Sequence, residues 1–193
     1  MSNRVFYGVI VLVLLSFVGI YAAQKHPKQN NTKLIGVVVH PSQGENHIAE
    51  GTAHAPYNSE LPSSGPHYQD ATAPAQWGVY TQELPPEIFL HNEEHGGIVI
   101  AYKPDLPQAQ IKDLQKLFAP PYSDKSFSPG KYILMPRAKN KYPIELAAWR
   151  RTYELASYNQ NDIEQFYLQN VSNKLAPESF AGPSNRPINE AAQ

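Results

Sequence analysis

Five of the seven histidines fall between positions 47 and 95: His47, His54, His67, His91 and His95. Neutral imidazole is the commonest protein ligand for metal ions and suits zinc, copper, nickel and iron. The chain has no cysteine, which excludes disulfides, thiolate metal sites and a cysteine nucleophile. A metal centre here must use histidine, carboxylate, methionine or backbone oxygen. His91 and His95 are spaced four apart, which on a helical turn puts both rings on one face, able to grip one ion. Their segment, His91-Asn92-Glu93-Glu94-His95, matches the H-x-x-E-H string of inverted zinc peptidases. That chemistry needs a long helix, and Gly96-Gly97 with a β-type run follow at once, so peptidase is kept as the lesser reading. Glu94 is expected either to orient a ligating histidine or to act as a base, and Glu93 to be solvated.

His67 stands in Leu61-Pro-Ser-Ser-Gly-Pro-His-Tyr68, where Pro62 and Pro66 fix backbone angles and Gly65 permits a sharp turn. Such rigidity would hold one imidazole in one orientation, as a metal site requires. A lone histidine there would more simply bond the backbone; several clustered histidines favour metal. Met135 ends an expected strand. A thioether beside imidazoles would favour copper, especially copper(I), although methionine in a strand is more often core filler. Ser63 and Ser64 lie near His67, but no acid completes a triad. There is no Gly-rich phosphate loop, nucleophile elbow or EF-hand loop.

The elements that must position these residues read as follows. Residues 34–40 are β-branched and apolar, a first strand; residues 41–74 form a long His/Pro-rich stretch, a length usual for functional loops. Strands are expected at 77–81, 97–102 and 131–135. Residues 106–118 carry a helical stripe, Ile111, Leu114, Leu117 and Phe118. Residues 144–155 read as a helix entered through Pro143, and 161–171 as another, capped by Asn161 or Asp162. Trp77, Tyr80, Trp149 and Tyr153 are expected in the core or at its rim. The pattern predicts an α+β fold: a small mixed or antiparallel sheet with two to three helices.

Residues 5–23 are an almost unbroken apolar run, long enough to span a bilayer core of roughly 30 Å as a helix. Arg4 before it favours the N-terminus inside and the rest outside, though Lys25, Lys28 and Lys33 follow. The run is longer than the usual apolar centre of a cleaved signal peptide, the rival reading. The expected organisation is anchor or signal at 1–23, linker at 24–33, globular domain at 34–178 and polar tail at 179–193. The 193 residues carry a net charge of -1, which gives no basic field for nucleic acid.

Several motifs occur together: Gly44-x-x-His47, Tyr57-Asn58-Ser59, Pro62-x-Ser64-Gly65-Pro66-His67-Tyr68, Trp77-Gly78-Val79-Tyr80, His91-x-x-Glu94-His95-Gly96, Ile98-Val99-Ile100-x-Tyr102-x-Pro104, Ala148-Trp149 and Pro177-Glu178. In these the chain resembles the bacterial domain of unknown function family 3105, whose members commonly carry an N-terminal membrane segment. The resemblance implies no activity. It does choose among the histidines: His47, His67, His91 and His95 fall on the family's histidine positions, and His54 becomes accessory. Asn92-Glu93 replaces a less acidic pair and Leu61-Pro62 stands where two prolines are usual; neither touches a proposed ligand.

The sequence therefore predicts a domain anchored on the outer face of the plasma membrane, in the periplasm or outside the cell. It is expected to bind a transition metal, copper ahead of zinc, through some or all of His47, His67, His91 and His95. Four imidazoles would make a closed site, and three would leave a position open. A metal-dependent hydrolase or oxidoreductase with Glu94 as base, and a metal-free structural or interaction module, are the alternatives. Protein partners are not legible.

Overall fold

The computed structural model describes residues 34–180. The apolar run at 5–23, the linker and the tail from 181 onward lie outside the described residues. Among those described, no helix is long and apolar enough to cross a membrane.

In chain order the elements are β1 (Val38–Val39), β2 (His47–Ile48), β3 (His67–Tyr68), β4 (Gly78–Val79), α1 (Pro86–Glu94), β5 (Ile98–Tyr102), α2 (Gln108–Phe118), β6 (Tyr132–Pro136), β7 (Ile144–Ala148), β8 (Arg151–Leu155) and α3 (Gln160–Asn170). The main sheet has the order β1-β8-β7-β5-β6-β4, and β2 and β3 form a separate pair. Pairing is antiparallel from β1 through β5 and parallel from β5 through β4. The fold is α+β with three helices, as the sequence predicts.

The central strand β5, Ile-Val-Ile-Ala-Tyr, is buried throughout, and its alternating side chains feed two cores. Ile98, Ile100 and Tyr102 pack with Ile111, Leu114, Leu117 and Phe118 of α2 and with Ile163, Phe166 and Tyr167 of α3. Val99 and Ala101 face the other way, onto Phe89 and Leu90 of α1 and onto Leu61, Tyr80 and Leu84 of the irregular segment. The sheet is thus a middle layer, with two helices on one face and the histidine-bearing segments on the other.

Two local expectations are corrected. The cap of α3 is Asn159, whose side chain accepts from the Asp162 backbone N–H, not Asn161 or Asp162. Residues 144–155 are not a helix but the β7–β8 hairpin. Ala, Leu, Glu and Arg are good helix formers, yet Ile144, Leu146 and Ala148 enter one core and Ala147 the other. Burial on both faces favours strand pairing over local propensity. The turn is Trp149-Arg150, with Arg150 at φ 64° in place of the usual glycine. It is held there from outside: Arg150 N–H donates to the Ser63 carbonyl at 2.6 Å and its Nε to the His40 carbonyl at 3.1 Å.

Candidate metal centre

Three elements deliver the donors. β2 and β3 pair in parallel with His47 directly opposite His67, so both rings project to the same side of the small ladder. The turn before β3 uses Gly65 at φ 128°, where a Cβ would come within 3.0 Å of the Tyr57 ring. From the far side comes α1, with His91 and Glu94 one turn apart and His95 at its C-cap. This helix ends where the sequence requires: Gly96 at φ 78° follows the cap, the usual place for glycine. Asn92 ties α1 to the irregular segment by donating to the Ala75 carbonyl and accepting from its N–H, both at 2.8 Å.

The rings of His47 and His67 lie 4.7 Å apart, His47 and His91 5.0 Å, and His67 and His91 5.2 Å. His91 and His95 are 4.8 Å apart. The donors form two sets, His47–His67–His91 and His91–Glu94–His95, the ligand atoms within each lying within 4.8 Å of one another. Trp149, at the tip of the hairpin, packs edge-on against His67. His67, His91 and Glu94 are buried, whereas the His47 side chain is 29% exposed. His47 is therefore the most solvent-open of the four histidines.

Proton positions decide what this arrangement can hold. His67 Nδ1 lies 2.9 Å from the Gly65 carbonyl and His91 Nδ1 2.7 Å from the Tyr68 carbonyl. A carbonyl only accepts, so both Nδ1 atoms carry the hydrogen, and in the neutral rings both Nε2 atoms keep lone pairs. Yet His67 Nε2 stands 3.1 Å from Glu94 Oε2, and His47 Nε2 is 3.2 Å from the same oxygen. A lone pair facing a carboxylate needs a proton or a cation between them. Backbone carbonyls that fix ligand tautomers in this way are the usual support of a metal site.

The electrostatics agree. Burial pushes His91 down to about 4, outweighing its bond to Tyr68, so the ring is neutral near pH 7. Burial also holds His95 below its ordinary value, against the pull of Glu178 and Glu94. For Glu94, burial pushes upward, but a hydrogen bond from His67 and the charge of the surrounding imidazoles, when those rings are protonated, hold it below the usual range; its carboxylate is anionic and calls for a proton or a cation on His67 Nε2.

A family model described as Protein of unknown function (DUF3105) matches residues 47–185, well over half of the chain and including every donor above. The chain belongs to that family. No curated protein and no solved structure matches it. Within this DUF3105 chain, the four histidines singled out by sequence fall in one neighbourhood, but in two sets joined at His91. His54 stands apart: its Nδ1 donates to the Ala55 carbonyl at 2.8 Å and its Nε2 pairs with Glu87 at 3.0 Å. Met135 is core filler, its sulfur accepting from the Leu84 N–H at 3.4 Å.

Glu93 is a correction. It is fully buried, not solvated, and neither of its oxygens has a hydrogen-bond partner among the described residues. Sequence reasoning also left Glu94 at one remove from any ion, whereas its carboxylate is in donor position. It missed α1 as well, although Pro86 at the first helical position, Glu87 in the first turn and Gly96 past the end are all start and stop signals.

Proposed function

We propose that this domain is an extracytoplasmic metal-binding protein, held at the plasma membrane by residues 5–23, that takes one divalent transition ion on His47, His67 and His91 with Glu94 supplying an oxygen. The observation that carries the reading is the pair of buried imidazoles whose Nδ1 hydrogens are committed to backbone carbonyls, so that each Nε2, in the neutral ring, offers a lone pair close to the Glu94 carboxylate. Imidazole and carboxylate together suit copper(II) and zinc alike. The sulfur that would have drawn copper(I) is engaged elsewhere, so the sequence-based preference for copper loses its structural support.

Three imidazoles, with Glu94 held back from the ion, would leave a coordination position free. That geometry keeps a metal-dependent enzyme as the second reading, with Glu94, 3.1 Å from His67, as the base. An activity abolished by chelation and restored by metal would favour it over simple binding.

The test is elemental analysis of the untagged protein grown with copper and zinc, beside a His67→Ala/His91→Ala variant. Near-stoichiometric metal in the parent, lost in a variant whose circular dichroism is unchanged, supports the reading and names the ion. A parent that holds none and takes up none on titration overturns it.

A further inference from the structure

The His95 ring is the odd member of the centre. Its Nε2 lies 3.2 Å from Glu178 Oε2, while its Nδ1 is buried with no hydrogen-bond partner among the described residues. Glu178 arrives on the segment that follows α3, and that segment is fastened over the end of α1. Glu178 N–H donates to the Glu94 carbonyl at 3.0 Å, and Ser172 N–H to the Gly96 carbonyl at 2.8 Å. Lys131 Nζ donates to the carbonyls of both His95 and Ser179, at 2.8 and 3.1 Å. Gly96 leaves room for this strap: a Cβ there would stand 2.7 Å from Ser172 Cα.

We propose that the ion has a second resting position in the same centre, on His91, Glu94 and His95, and that Glu178 is the positioning residue that prepares it. By accepting the Nε2 hydrogen, the Glu178 carboxylate leaves the lone pair of His95 on Nδ1, the buried unpartnered atom. His91 has one lone pair to give, because its Nδ1 hydrogen is spent on Tyr68. The two positions therefore compete for His91, and the chain carries one ion that exchanges between an outer position near the exposed His47 and an inner one beneath the strap. This inference rests on the proposed function.

The experiment is zinc titration by calorimetry of the full chain in detergent, with far-UV circular dichroism as the fold control. The expected stoichiometry is one. His95→Ala alone changes affinity little, because the outer position remains. In a His47→Ala/His67→Ala background, which leaves the inner position, His95→Ala abolishes binding. There Glu178→Ala weakens it about tenfold, while Glu178→Gln, whose amide oxygen still accepts, restores it. Two ions per chain, or an equal effect of His95→Ala in both backgrounds, overturns the two-position centre while leaving metal binding intact. No zinc uptake by any form overturns both. Independently of metal and of variants, nitrogen-15 NMR of histidine-labelled, metal-free protein should show His95 with its hydrogen on Nε2; a hydrogen on Nδ1 overturns the role of Glu178.

Discussion

At the scale of single residues, Glu93 and His91 pull stability in opposite directions with pH. Burial raises the Glu93 carboxyl well above its ordinary 4.5. Its contribution is present in full below that ordinary value and is lost as pH rises, because the unfolded chain releases a proton that the folded chain keeps. His91 sits at about 4 against an ordinary 6.5. The unfolded chain takes up its proton first as pH falls, so this contribution is lost on descending from 6.5 toward 4. Urea denaturation of metal-free protein should therefore show Glu93→Gln gaining on the parent steadily from pH 5 to pH 8. A gap between the two that does not change with pH would mean that Glu93 is not neutral in the folded state. With metal bound, the acid limb should steepen, since protonating His91 then also costs the ion.

At the scale of elements, the site depends on two close approaches that glycine permits. A Cβ on Gly97 would collide with the Trp77 ring and stand 2.8 Å from the Asn92 carbonyl. Gly97→Ala should cost about 1–3 kcal/mol, the usual range for overpacking, visible as a lower Tm. An unchanged Tm would show that Trp77 moves freely. The same scale shows what the sequence made legible. The strand β5 was readable as a short unbroken run of β-branched and apolar residues, and the helix α2 from the helical period of its apolar stripe. The hairpin β7–β8 was not, because its residue types favour helix and its turn lacks the glycine signature, being held open by His40 and Ser63 from outside. Helix α1 was not, because Phe89, Leu90, His91, Asn92, Glu93 and Glu94 are all buried, and a helix enclosed on every side has no stripe.

At the scale of the whole molecule, the histidines marked a candidate site through their type, their clustering in sequence and the motifs around them. What assembles them is long-range: a two-residue parallel ladder setting His47 against His67, backbone carbonyls choosing tautomers, and a strap from beyond α3 reaching His95. None of these has a local sequence period. The proposed anchor is tested at this scale too. The intact chain should stay with membranes through alkaline carbonate washing and be open to protease from outside in spheroplasts. A soluble product beginning near residue 24 would instead mean a cleaved leader.

The pairing of β2 with β3 has a further consequence. These strands hold two residues each, and residues 41–60 are largely exposed, so little apolar burial keeps them closed. An ion gripping His47, His67 and His91 would act as a clasp across that stretch, restricting the freedom of a long irregular loop. The metal-loaded chain should resist limited proteolysis between residues 41 and 60, and the metal-free chain should be cut there first. Metal supply would then set how long each copy survives proteolysis, and the protein's abundance would report the ion it meets.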